Sequence, residues 1–451
     1  MSSPLKNSHL KAFRWYRRSR LWVAPTIGAA TAILLAAGSL ALDNLVITED
    51  APFPVFQGAP ASARSILSLI ATSMATLTAL VLTIIAIVIQ LATQALSPRA
   101  VRTFLQDAQT HVTLGAFVTT FTYSLVVLQQ FDLTPERIDG MVTSTSITLA
   151  FGLAVVSLVL FIFYVDHIVH QARVTSIIDA IGKETRSTIE EEYPPSDRAP
   201  EQVSGEIPVR KPDKVIYSQQ NGVILEINIE KLLNEITDKD LTVVMVPAVG
   251  DFIPTGSRLL ELYGNTDVNL DVMLETVEID AERSIMQDVP FGFRLLVDIA
   301  SRSLSPSLND PSTASQVIDQ LHDLLRLLGG RPFPNGWHAK DGEQPRLYVP
   351  QPTWDMYVAL AFEEIRHFGA GSLQVVRRIR SAVDNLLRHL PEDRHPALLR
   401  QVALLDDVAE YAFRSPAERE AASHPDAQGI GSGGGFETSW EQDRAENQDQ
   451  A

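Results

Sequence analysis

The chain of 451 residues contains no cysteine. Disulfides, thiolate catalysis, iron–sulfur clusters and Cys-type zinc sites are therefore excluded. Basic residues are also scarce: 37 against 54 acidic ones, a formal net charge of −17, which argues against a general nucleic-acid binder. No GxSxG, P-loop, GxGxxG or HExxH motif stands in a catalytic context. The adjacent pairs Glu363–Glu364 and Asp406–Asp407 read as solvated helix faces. The expectation is a protein without enzymatic activity and without a cofactor.

Charge is missing locally as well. Four windows carry none: Leu21 to Leu42, Ser65 to Leu96, Val112 to Leu128 and Met141 to Val165. A bilayer span needs roughly 20 apolar residues, so all four are candidate spans, the third at the short end. A mean hydropathy of +0.06 hides them by averaging an apolar front third with a polar remainder. Residues 1–20 lack acid instead, and carry Lys6, Lys11, Arg14, Arg17, Arg18 and Arg20. Arg99 and Arg102 give the second loop a basic excess. The first loop holds Asp43, Glu49 and Asp50, and the third Asp132, Glu136 and Asp139. The positive-inside rule then places the N-terminus and the C-terminal two-thirds in the cytoplasm of a multi-pass protein of a bacterial inner membrane. A cleaved signal peptide is the rival for the first window, with a small-x-small site in "GSLAL". The apolar stretch is longer than a usual signal core.

The composition divides the chain. Residues 1–20 form a basic cytoplasmic N-terminus, 21–165 a four-span transmembrane domain, and 166–213 a helical extension and linker. Residues 214–289 form a cytoplasmic β-rich module, 290–414 a cytoplasmic helical domain, and 415–451 a disordered acidic tail. Residues 166–192 keep a helical pattern that continues the fourth span. In the β-rich part the apolar period changes to two, at Val223, Leu225, Ile227 and Ile229. "VGDFIPTGSRLLEL" resembles half of a barrel-sandwich hybrid, the fold of lipoyl domains. Lys231 and Lys239 lie in a helical insert, not in a hairpin that presents a modifiable lysine, so the module reads as structural. The helices expected downstream are 353–368, 371–390 and 395–413. The fold class is an α-helical membrane domain (four transmembrane helices) plus a cytoplasmic α+β domain. The latter has a small barrel-sandwich-like β module and a helical C-terminal part.

Two long motifs carry a family resemblance. "ARSILSLIATSMATLTALVLTIIAIVIQLATQALSPRAVRTFL" followed by "LGAFVTTFTYSLVVL" is the first, and "DVPFGFRLLVDIASRSLSPSLNDPSTA" the second. Over roughly residues 15 to 410 the chain resembles bacterial membrane proteins grouped as domain of unknown function twenty-two fifty-four. The resemblance implies an inner-membrane protein with a cytoplasmic domain; it implies no substrate and no catalytic residue. The signature turn is Ser305, Pro306, Asn309, Asp310 and Pro311, with Ser307 where the family carries Gly, so a left-handed backbone at 307 is not expected.

The candidate site lies in the second span. At 100° per residue, Ser65, Ser68, Thr72, Thr76, Thr83, Gln90 and Gln94 share an arc of about 80°. Ala79 and Ala86 fill its gaps. Two readings stand. The stripe is a helix–helix seam, where small and hydroxyl residues allow close approach. Or it faces water along a pore or substrate path. A homo-oligomer could make both true. From Arg64 to Arg99 a continuous helix runs roughly 52 Å, more than a hydrocarbon core of about 30 Å. These span-end arginines would sit at the two mouths of a pore and favour anions, or snorkel to the interface. Asp166, His167 and His170 share a face beyond the fourth span and could ligate a divalent metal, or simply be interfacial. "SPSLNDP" could be a ligand loop at a helix N-terminus, or a restart capped by Asp310. The functional expectation is a channel-like transport protein with a cytoplasmic gating or assembly domain. The alternative is a non-transporting scaffold or sensor. The partners expected are the bilayer and further copies of the chain, with a small ion or molecule as substrate and no nucleic acid.

Overall fold

In a computed structural model the described residues are 22–45, 56–95, 108–133, 142–171, 173–199, 202–237, 239–285, 287–340 and 343–431. Residues 1–20, Arg99, Arg102 and 432–451, which carry several of the expectations above, lie outside them. The chain divides into two compact units, residues 1–173 and 174–451.

The first unit holds four helices long and apolar enough to cross a membrane. They are α1 (Val23–Leu45), α2 (Pro60–Ala95), α3 (Ala108–Leu133) and α4 (Thr145–Gln171). Helix α3 is the hub and packs against the other three. It meets α1 along Ala24, Gly28, Ala32 and Ala36, small residues spaced by four and therefore on one face. The approach is close: a Cβ on Gly28 would lie 2.6 Å from the Gly115 carbonyl oxygen and 2.7 Å from Thr119 Oγ1. Hydroxyls join the helices inside. Ser39 Oγ and Tyr123 Oη are 2.7 Å apart, Tyr123 donates to the Ser146 carbonyl at 3.0 Å, and Thr120 and Ser157 pair at 2.9 Å.

Two short strands, β1 (Phe56–Gly58) and β2 (Val142–Ser144), pair antiparallel at one end. At that same end the Asp43 carboxylate accepts the amides of Thr145, at 2.7 Å, and Ser146, at 3.2 Å, and so caps α4 from the last turn of α1. At the other end Gln109 donates to the Phe163 carbonyl at 3.1 Å. The four helices alternate in direction, so residue 22 and residue 171 lie at one end of the bundle.

The second unit begins with α5 (Val174–Glu192). This corrects the expectation of a helical extension and linker over 166–213. Helix α4 ends at Gln171 and α5 is a core element of the second unit, with Ile177, Ile178, Ile181 and Ile189 buried. It packs on α8 (Val289–Ser303) and α9 (Pro311–Gly329), closely enough that a Cβ on Gly182 or Gly292 would strike Gln320 or Thr185. Residues 202–210 lie along the β part: Asn335 donates to the Val203 carbonyl at 2.8 Å, and Arg210 stacks on Tyr263.

That β part has two sheets. The three-stranded one orders β6 (Phe252–Ile253), β4 (Gly222–Ile227) and β8 (Val277–Asp280). The five-stranded one orders β3 (Lys214–Tyr217), β7 (Arg258–Gly264), β5 (Leu241–Met245), β10 (Leu347–Tyr348) and β9 (Trp337–His338). One core of Ile216, Ile224, Leu241, Val243, Leu260 and Leu262 is shared by both, joined by residues of the insert helix α6 (Ile229–Ile236). A five-residue helix, α7 (Leu270–Leu274), precedes β8. The module does not end at residue 289. Strand β10 pairs parallel with β5, and the Val243 amide donates to the Arg346 carbonyl at 2.7 Å, so β10 and β9 extend the sheet beyond the β5 edge.

Helices α10 (Trp354–Phe368), α11 (Leu373–His389) and α12 (His395–Ala412) follow within a residue or two of the expected bounds. The first two are capped by side chains: Thr353 and Ser372 each accept an amide three residues on. A last helix, α13 (Pro416–Ser423), opens with a capping box between Ser415 and Glu418. Residues 415–431 are therefore ordered, against the expectation of disorder from 415. Composition misled because this segment is held by hydrogen bonds and buries little apolar surface.

Candidate functional site: the outward face of α2

Helix α2 has two opposite faces. Ala63, Leu67, Ile70, Ala71, Met74 and Val81 are buried and pack against the bundle. Ser65, Ser68, Thr72, Thr76, Thr83 and Gln90 are all exposed. By helical projection the centres of the two sets are about 160° apart, so the polar stripe runs along the middle of the outward face. Leu69, Leu80, Leu82 and Ile87 flank it and are exposed too. Gln94 lies in the last turn of α2, with its side chain outside the described residues. Among the described residues no helix of the same chain packs on the stripe. Among the described residues it is the apolar face of α2, and not the stripe, that packs on the bundle.

The hydroxyls have a common habit. Ser65, Thr72, Thr76 and Thr83 donate to the carbonyls of Ala61, Ser68, Thr72 and Ala79, at 2.9, 2.9, 3.0 and 2.9 Å. A carbonyl cannot donate, so each hydroxyl proton is spent on the helix's own backbone. The oxygen lone pairs remain to face outward.

The outward face of α4 is the opposite case. Phe151, Val155, Val156, Leu158, Ile162 and Phe163 are exposed, whereas Ser146 and Ser157 are buried in the bundle. On α1 the exposed large residues are likewise apolar, among them Ile27, Ile33, Leu34 and Leu42.

The other candidates fall elsewhere. Arg64 is half-buried in the second turn of α2. Asp166 and His167 lie near the C-terminal end of α4, and the side chain of His170 is outside the described residues. Among the described residues no group of three His, Asp or Glu side chains could hold a metal ion. The signature turn joins α8 to α9. Asp310 accepts the amides of Ser312 and Thr313, both at 3.1 Å, and caps α9, with Pro311 in its first turn. The amide of Asn309 donates to the Ser305 carbonyl at 2.9 Å. The left-handed residue is Asn309, at φ 46°, and not Ser307, so serine at 307 costs the turn nothing. Residues 306–310 of the turn are exposed; Asp310 is taken up by capping, and the Ser305 and Ser307 hydroxyls pair with each other at 3.2 Å.

Sequence reasoning missed two features. Asp43 is more than a loop charge; it ties α1 to α4. Its signal was its place at the end of an apolar window, ahead of a Thr-Ser pair that opens another. The inward ladder Ala24, Gly28, Ala32, Ala36 was legible as a small residue at every fourth position.

Over residues 18–385 the chain matches the family described as Predicted membrane protein (DUF2254). It is similar to uncharacterized proteins of Mycobacterium bovis and Mycobacterium tuberculosis, 28% identical over 424 residues. The match covers 91% of this chain and 80% of each relative. No solved structure matches the chain.

Proposed function

We propose that the chain, which belongs to the DUF2254 family of predicted membrane proteins, is a homo-oligomeric, channel-like transport protein of a bacterial inner membrane. Copies of α2 turn their polar stripes toward one another and line the path of a small ion or molecule. The second unit serves as a cytoplasmic gate or assembly platform. The observation that carries this reading is the direction of the stripe. Four self-bonded hydroxyls and Gln90 point away from the chain's own bundle, on a helix of 36 residues. A helix meant only for lipid would present what α4 presents. Cytoplasmic termini are supported by the six basic residues ahead of α1 and by the shared end of residues 22 and 171. The two sheets around one core support reading the β part as a barrel-sandwich-like structural module.

A second reading is favoured by the hydroxyl bonds themselves. Side chains bonded to their own backbone need no water, so the stripe could pack dry between copies of a non-transporting scaffold. Flux measurements on purified protein in liposomes separate the two. Conductance or solute flux that falls when Thr76 and Thr83 are both changed to Leu supports the channel. Oligomers that form but pass nothing would leave the scaffold.

A further inference from the structure

Helix α11 carries a row of cationic side chains, Arg377, Arg378 and Arg380, at its centre. Two of them are deeply buried, Arg377 at 5% exposure and Arg380 at 7%. Carboxylates reach the row from neighbouring helices: Asp319 of α9 pairs with Arg378, and Asp406 of α12 with Arg380. What covers the row is the backbone of the C-terminal segment. Arg377 Nε donates to the His424 carbonyl at 3.0 Å. Arg378 Nη1 donates to those of Asp426, at 3.2 Å, and Ala427, at 2.8 Å. Arg380 Nε donates to that of Ala422 at 3.2 Å. Gln374, one turn earlier, donates to the Gly429 carbonyl at 2.7 Å.

The segment that supplies these oxygens adds one backbone bond to the same helix, from the Asp426 amide to the Arg377 carbonyl at 3.2 Å, and exposes most of its side chains. Pro425, Ala427, Gln428 and Ile430 are exposed. Its own shape depends on one buried side chain, Asp426, which accepts the amides of Gln428, Gly429 and Gly431 at 3.1, 3.0 and 2.7 Å. A segment with few apolar contacts and peripheral hydrogen bonds opens locally at low cost. Guanidinium groups that lose carbonyl partners keep their charge and their planar fork of donors. That fork suits the paired oxygens of a phosphate or carboxylate better than it suits single carbonyls.

We infer that residues 424–431 are a detachable strap, and that Arg377 and Arg378 beneath it bind an oxyanion of the phosphate or carboxylate class when the strap lifts; Arg380, held by Ala422 of α13 and by Asp406, stays covered. Strap and anion compete for the same donors. A free anion or an anionic lipid headgroup at this row would thereby set the position of the chain's C-terminal segment.

The test uses the full chain and two truncations in nanodiscs of zwitterionic lipid, titrated with inorganic phosphate by calorimetry. One truncation ends at Ser423 and lacks the strap; the other ends at Gly431 and keeps it. The expected result is phosphate binding by the first at least about tenfold tighter than by the second or the full chain. In the strapless chain Arg378→Gln should weaken it about tenfold, the loss of one charge-assisted hydrogen bond. Asp426→Ala in the full chain loosens the strap while leaving α13 in place, so it carries the test if the truncation fails to fold, and it should bind phosphate more tightly than the parent. Hydrogen exchange of residues 424–431 with and without phosphatidylglycerol in the nanodisc distinguishes a lipid headgroup from a free anion, and faster exchange with that lipid also supports the inference. Equal binding by the two truncations would overturn it. So would the absence of any response to phosphate or phosphatidylglycerol in both the strapless and Asp426→Ala chains.

Discussion

Helices α2 and α4 are both uncharged over most of their length and pack on the same hub, yet they are turned inside out relative to each other. On α4 serines face in, where Ser157 meets Thr120, and Phe, Val and Ile face out. On α2 Leu, Ile and Met face in and hydroxyls face out. Lipid accounts for the first arrangement, because apolar side chains lose nothing there and polar ones find partners inside. The second is not what an apolar surface alone would present, although its hydroxyls, like those of Thr26 and Thr31 on α1, are satisfied by their own backbone. The difference locates the unusual surface of the membrane unit on α2, and hydropathy alone would never have found it, since both helices score as strongly apolar.

The sharpest way to break this contrast is a charge at matched positions. Val155→Lys on α4 is expected to cost about 3 kcal/mol of insertion free energy, the price of a cation at mid-span facing lipid. Thr76→Lys should cost clearly less, under about 1.5 kcal/mol, if its surroundings are wet. Glycosylation-based insertion assays on the two variants read the difference directly; equal costs would remove the contrast.

Gly28→Leu comes next. Its side chain would have to displace backbone at Gly115, and about 1–3 kcal/mol of stability should be lost, seen as a lower unfolding temperature in detergent. The inward polar groups are worth less. Ser157→Ala should cost about 0.6–1.7 kcal/mol through the lost bond to Thr120, whereas Thr83→Ala on the outward face should leave the unfolding temperature of the monomer unchanged. Asp43→Asn falls in the same small range, about 0.5–1 kcal/mol, since the amide oxygen still accepts one of the Thr145 and Ser146 amides but lacks the charge.

Much of this molecule was legible in its residues. The four candidate spans, the Asp310 cap and the helices from 353 onward all follow from apolar runs, periodicity and capping chemistry. The stripe itself was legible as an angle. Its direction was not, because a helical projection fixes residues relative to one another and says nothing of where the neighbours stand. Strands β9 and β10 were missed because each has two residues, too few for a period, and β5, to which β10 pairs, lies about a hundred residues earlier. Helix α5 was misassigned because its pattern runs on from α4 with only two residues between them, and the packing of Gly182 and Gly292 that binds it to α8 and α9 leaves no trace in hydropathy. Residues 415–431 were misjudged for a related reason: their order comes in part from arginines of α11, distant in sequence.

The absence of native cysteine makes the decisive measurement simple. Thr76→Cys and Thr83→Cys on α2, with Val156→Cys on α4 as reference, are treated with a membrane-impermeant charged thiol reagent from each side of sealed vesicles. A water-lined stripe predicts that both α2 cysteines react at least about tenfold faster than the α4 cysteine, since a thiolate forms readily only where water reaches it. Equally slow reaction at all three positions, from both sides, would contradict it.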